Sequence, residues 1–231
     1  MSASQLCLYL CRLLLILAVV VSSAPAQSQP GSQPDQPAVQ TRSEKPDPSR
    51  ARNEFGVWTG YSPFSFVLKG TSKDRELFLL NLQYAHTLLA ARPIMLKYVA
   101  EAVPVALEVQ PTQHYLVNGK VIPNPAGAIY GAGANPFGLQ ANLGGKNVQP
   151  FVNGTLGFLY FHDQVPIVGS SQFNYTITIG FGAQVYLHRR NSITFGWKYH
   201  HLSNDDQAHL NPGMDSGVFY VGWSTFLAKR R

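Results

Sequence analysis

From Tyr175 to Val185 the chain reads YTITIGFGAQV, with apolar or aromatic residues at the odd positions and small or polar ones at the even positions. Successive side chains of a strand point to opposite faces, so a period of two commits this stretch to a sheet with one greasy face. The same alternation sets Phe78, Leu80, Leu82 and Tyr84 against Asn81, Gln83 and Ala85, and Val152, Leu156, Phe158 and Tyr160 against Asn153, Thr155 and Gly157. Turn-forming clusters at 69–72, 91–93, 144–147, 162–164 and 188–191 separate the runs. The pattern predicts eight strands, near 54–67, 75–88, 94–109, 127–143, 149–161, 173–187, 191–203 and 214–227. Helical periodicity is hard to find in this region.

The first residues are expected to form an export signal, with a retained N-terminal anchor as the alternative. Arg12 precedes the apolar run 13–21 and then SSAPA, a charged flank, a short hydrophobic core and a small-residue cleavage site, with cleavage expected after Ala26. The run is shorter than the roughly 20 residues that a helix needs to span a bilayer. Cys7 and Cys11 both fall inside the signal, so the mature chain has neither disulfide nor thiol nucleophile, and no lipoprotein cysteine stands at the cleavage point. Residues 27–53 are rich in Gln, Ser, Pro and charge and bury too little apolar surface to order themselves, so they are expected to form a disordered leader. One domain is predicted over 54–231. Loss of the signal removes Arg12 and no acid, which turns the net charge of +6 into +5. Neither a phosphate-binding Gly loop nor a nucleic-acid motif accompanies that charge, and no nucleic-acid partner is expected.

Three features favour a membrane barrel over a soluble sandwich. Many strands run to about 11 residues or more, the length of a tilted membrane-spanning strand. Trp58, Tyr61, Tyr160, Phe161 and Trp223 lie near strand ends, as an interfacial girdle requires. The other faces carry Asn, Gln, Thr and Gly, the polar filling of a small barrel, where Lys97 and Glu101 on one face of the third strand are expected to pair. The Gly-rich 131–138 lacks a following helix and reads as a close-packed or bent strand. The expected fold is all-β, an antiparallel eight-stranded outer-membrane β-barrel. It must close, because an open edge in lipid strands unpaired backbone groups.

The chemistry concentrates in 199–217. Period two carries the greasy face of Ile193, Phe195, Trp197 and Tyr199 on to His201 and Ser203, and counting back from Phe219, Val221 and Trp223 brings Asp215 onto the same face. With both termini at the periplasmic side, the 204–214 loop is extracellular and these residues lie near the outer rim. Ser, His and a carboxylate are the nucleophile, base and orienting group of acyl transfer. His201 and Ser203 stand roughly 6.5–7 Å apart along the backbone, and Asp215 approaches across the ladder. His200 faces the other way and is expected to hydrogen-bond in the interior. His200, His201 and His209 include no i, i+4 pair, and no metal site is expected.

His201-Leu202-Ser203-Asn204, followed by Asn211-Pro212-Gly213-Met214-Asp215, resembles the H-x-S-N … N-x-G-x-E pattern of the PagL-like lipid A 3-O-deacylases, also called acyloxyacyl hydrolases. The likeness extends over about 54–227, including YGAGANPFGL at 130–139 and GSSQFN at 169–174. The resemblance implies an eight-stranded outer-membrane esterase, its active site on the barrel exterior, that removes an acyl chain from the lipid A of lipopolysaccharide. By matching positions, Ser203 is the nucleophile, His201 the base and Asp215 the orienting acid, with Asn211 at the oxyanion hole and Asn204 as the Asn after the serine. Asp215 stands where the pattern has Glu. Asp206 replaces a small residue and offers only its backbone N–H to an oxyanion. The chemistry requires no cofactor, and a homodimer is left open. Two other readings compete with this one: a non-catalytic small barrel of structural or adhesive role, and a soluble periplasmic lipid-binding barrel with an apolar lumen.

Overall fold

The computed structural model describes residues 52–227 except Arg92, Lys146 and Arg189, and except the side chains of Val117 and His188. The predicted signal, the leader as far as residue 51 and the last four residues lie outside the described residues. The elements are β1 (Asn53–Ser62), β2 (Ser65–Phe66), β3 (Glu76–Ala91), β4 (Ile94–Gln110), β5 (Gln113–Val117), β6 (Lys120–Asn124), β7 (Gly127–Leu143), β8 (Val148–Val165), β9 (Ser171–His188), β10 (Asn191–Ser203) and β11 (Met214–Leu227). β1, β3, β4, β7, β8, β9, β10 and β11 pair in that order, and β11 pairs back onto β1, so eight antiparallel staves close a barrel. The expected eight-stranded barrel is the fold found.

Two segments depart from the expected strands. The first was expected to run to residue 67, but β1 stops at Ser62, before Pro63, which has no N–H to give the ladder. The chain pairs again at β2, with Ser65 opposite Ser216 and Phe66 opposite Asp215, and then crosses as a strap to β3. The β5–β6 hairpin was not anticipated. Its two turn residues, Asn118 and Gly119, have φ of 51° and 74°, the left-handed pair that an Asn-Gly type I′ turn uses.

The connections at one end are short, at 92–93, 144–147 and 189–190, whereas the other end carries 63–75, 111–126, 166–170 and 204–213. Long loops face outward in outer-membrane barrels. These loops are tied together: the Leu210 N–H donates to Gly169 O (3.0 Å), the Val168 N–H to Asn124 Oδ1 (3.1 Å) and the Gln113 amide to Lys73 O (3.3 Å).

Apolar side chains such as Phe55, Leu82, Val152, Ile179, Phe195 and Phe219 are exposed on the outer face, as lipid contact requires. Tyr61, Tyr160 and Trp223 share that exposure, but Trp58 and Phe161, expected in the girdle, are buried in the lumen. Trp58 donates Nε1–H to Glu101 Oε1 at 3.0 Å. Lys97 and Glu101 both point inward, yet they do not pair with each other. Lys97 Nζ reaches Glu54 Oε2 (2.7 Å) and Gln184 Oε1 (3.0 Å), while Glu101 takes Lys198 Nζ (3.1 Å) and the Asn135 amide (2.8 Å). Residues four apart on a strand lie roughly 13 Å apart along it, so each finds a partner across the narrow lumen instead. The upper lumen is apolar, with Leu77, Leu159, Phe161, Leu202 and Met214 fully buried around the Arg75–Glu108 pair (2.5 Å). The expected polar filling of Asn, Gln and Thr is found in the lower part. The 131–138 run lies in β7, and the ladders to β4 and β8 shift register beside it, at Val103/Ala106 and Ala134/Phe137, as a bulged strand does.

Two outcomes test this arrangement. The protein should sediment with outer membranes and migrate differently on gels before and after heating. Glu101→Ala, which strips an acceptor from Trp58, Asn135 and Lys198, should cost about 3–5 kcal/mol in urea-unfolding experiments.

Candidate active site

β10 and β11 are in direct register at their outer ends, with His201 opposite Asp215 and Leu202 opposite Met214. No bulge interrupts β10 between Ser192 and Ser203, so His201 keeps the outward face of Ile193 and Phe195, and Asp215 keeps that of Phe219 and Val221. His201 Nδ1 and Asp215 Oδ1 are 2.7 Å apart. A carboxylate accepts, so the imidazole carries its proton on Nδ1 and presents Nε2 as the basic nitrogen. Among the described residues Nε2 has no hydrogen-bond partner.

Although both residues lie on the outer face, they are not bare to lipid: Asp215 is 0% exposed and His201 only 5%. The strap covers them. The backbone N–H groups of Leu68, Lys69 and Gly70 donate to Asp215 Oδ2 at 2.9, 2.7 and 2.7 Å, and Tyr199 donates its hydroxyl to Oδ1 at 2.6 Å. Phe66 of β2 packs against the Tyr199 ring, with centroids 6.1 Å apart. Five donors therefore saturate one carboxylate, two of them from side chains and three from the strap backbone.

Ser203 lies at the end of β10, half-buried on the same face. Its Oγ donates to Asn211 Oδ1 (3.0 Å) rather than to His201, and accepts the Asp205 N–H (3.2 Å). Asn211 Oδ1 also accepts the Asn204 N–H (3.2 Å), and its amide donates to Asp206 Oδ1 (3.0 Å). The Asn204 amide donates to Leu210 O (2.8 Å), which closes the loop at its base. Asp205 and Asp206 have φ of 52° and 57°, and the Gln207 N–H returns to Asn204 O (3.1 Å). This is a type I′ turn on two non-glycine residues, and it sets the amides just after Ser203. Gly213, with φ of 60°, begins the return to β11; a Cβ there would lie 3.3 Å from His201 Cε1 and 3.2 Å from Gly70 Cα.

The geometry thus joins His201 to Asp215 and Ser203 to Asn211 as two adjacent clusters. His200 points into the lumen as expected, but it is buried with Nδ1 lacking a partner, contrary to the expected interior hydrogen bond there. Sequence reasoning missed Tyr199, which it placed among the greasy residues, although its position two before His201 on one face was the available signal. It also missed the strap, read only as a turn at 69–72. Among the described residues no group of His, Cys, Asp and Glu is arranged to hold a metal ion.

A family model described as lipid A 3-O-deacylase (PagL) matches residues 107–224, just over half of the chain, from within β4 to within β11. No curated protein matches the sequence. Among solved structures, the outer membrane enzyme PagL is similar with a TM-score of 0.56 at 16% identity, over 72% of this chain and 97% of that one. Neisserial surface protein A is similar at 0.47 and 10% identity, over 76% of this chain and 97% of that one. OprG of Pseudomonas aeruginosa is similar at 0.47 and 13% identity, over 78% and 98%.

Gly213→Ala would impose a left-handed alanine and crowd the imidazole. It should cost about 1–2 kcal/mol, read as a lowered urea midpoint with an unchanged slope.

Proposed function

This chain belongs to the lipid A 3-O-deacylase (PagL) family, and from that premise we propose that it is an outer-membrane serine esterase that removes the ester-linked 3-O acyl chain of lipid A. The observation that carries the mechanism is the His201–Asp215 pair, 2.7 Å apart on the barrel exterior one strand repeat from Ser203. Asp215 holds the imidazole through Nδ1–H, leaving Nε2 to take the Ser203 proton once the hydroxyl rotates from Asn211 toward His201. Ser203 Oγ then bonds to the ester carbonyl carbon. The charge that develops on the carbonyl oxygen is met by the Asn211 amide and the N–H groups of the Asp205–Asp206 turn. As the intermediate collapses, the bond between the carbonyl carbon and the sugar oxygen breaks and the imidazolium gives that oxygen its proton, leaving a free sugar hydroxyl and an acyl-serine. Water, deprotonated by Nε2, attacks that ester, and the fatty acid leaves as Ser203 regains its proton.

The location suits a substrate that never leaves the bilayer. Phe64 before β2 and Val67 and Leu68 of the strap expose apolar side chains beside the site, and Phe195 and Phe219 continue the apolar surface below it. An acyl chain reaches Ser203 laterally from the outer leaflet, where the sugar head group is already at the rim.

Fatty-acid release from purified lipid A tests the roles. Ser203→Ala and His201→Ala should each lower kcat by about 10⁴-fold or more, and Asp215→Ala by clearly less, since the orienting carboxylate alone matters less than nucleophile or base. Release by Ser203→Ala at the parent rate would remove the nucleophile assignment. No release by the parent itself would favour the non-catalytic barrel.

A further inference from the structure

We propose that the strap, residues 67–72, is a positioning element for the catalytic pair, holding Asp215 through three backbone N–H groups, and that Gly70 is the residue on which it depends. The inference rests on the reading that Asp215 orients His201.

Asp215 is fully buried beneath the strap and cut off from solvent, and a buried carboxylate left unpaired is costly. Buried backbone N–H groups left unpaired there add a smaller cost of their own. The strap resolves both at once, because Leu68, Lys69 and Gly70 point their N–H groups at Asp215 Oδ2 within 2.9 Å. Successive N–H groups converging on one oxygen make a concavity suited to an anion. The strap is pinned at both ends: Phe66 pairs with Asp215 in the ladder, the Thr71 N–H and hydroxyl both reach Pro212 O (2.6 and 3.0 Å), and the Ser72 N–H reaches Gly213 O (3.2 Å).

Gly70 is the point of closest approach. A Cβ there would lie 2.6 Å from Gly213 C and 2.7 Å from Met214 N, both backbone atoms that cannot rotate aside. Its φ is not left-handed, so glycine is needed for space alone. Gly70 therefore lets the strap lie against the start of β11, close enough for the amides to reach a side chain as short as Asp. The strap backbone already touches Oδ2, so the longer Glu of the family pattern would have to displace it.

The test uses the full chain in lipid A–detergent micelles, with barrel integrity read from heat-modifiable migration. Gly70→Ala should lower kcat on the order of a hundredfold with KM little changed, the cost of misplacing a catalytic group by an ångström or so. Combined with Asp215→Ala it should add no further loss, because both changes act through the same imidazole. Parent-like kcat in Gly70→Ala, or losses that multiply in the double variant, would overturn the proposal. Should Gly70→Ala not assemble, amide exchange in Asp215→Ala decides: exchange should quicken at 68–70, and unchanged protection rejects the cradle. An Asp215→Ala enzyme as fast as the parent removes the premise itself, and is recognised by its kcat whatever the exchange at 68–70.

Discussion

The pairing of β1 with β11, from Asn53 opposite Leu227 to Tyr61 opposite Phe219, is the constraint on which the rest depends. In hydrocarbon an unpaired strand edge costs several kcal/mol for each free group, so the first and last staves have to meet. Their meeting ends at Tyr61, while β11 continues upward to Met214. The upper edge of β11 is thus left for β2, and the strap that follows β2 is delivered directly onto Asp215. The surroundings of the carboxylate follow from where the first stave stops.

Inside and outside carry opposite chemistry, and each polar group on the wrong side has its own cover. In the lumen Lys97, Lys198 and Arg75 each face a carboxylate, and Lys198 also lies 4.1 Å above the Trp58 ring. On the exterior Asp215 is a buried carboxylate, and its cover is main chain rather than a cation. A lysine opposite Asp215 would compete with His201 for it; backbone donors bind one oxygen and leave the other to the imidazole and Tyr199.

The staves were legible because membrane strands alternate over most of their length, and for His201 and Asp215 the same alternation named the face, whereas their direct opposition in the ladder came from the strand pairing. Interior and girdle aromatics were not separable this way: Trp58 and Phe161 sit near strand ends like Tyr61 and Tyr160, and only the parity of each strand tells them apart. The strap was illegible because its contribution comes from backbone N–H groups of Leu68, Lys69 and Gly70, whose side chains have no part in it. The Ser203–Asn211 bond belongs to loop geometry, set by two left-handed aspartates that no periodicity announces. The Asn118-Gly119 hairpin, in contrast, was written in a dipeptide and passed over.

The filled lumen has a consequence for the cell that houses such a chain. Buried side chains cross it in successive tiers, from Glu54, Lys97 and Gln184 through Trp58, Glu101 and Lys198 to Leu77, Phe161 and Arg75. With the candidate site on the outer wall, the interior is free to serve as a stopper. A barrel plugged in this way adds no open channel to the membrane that holds it.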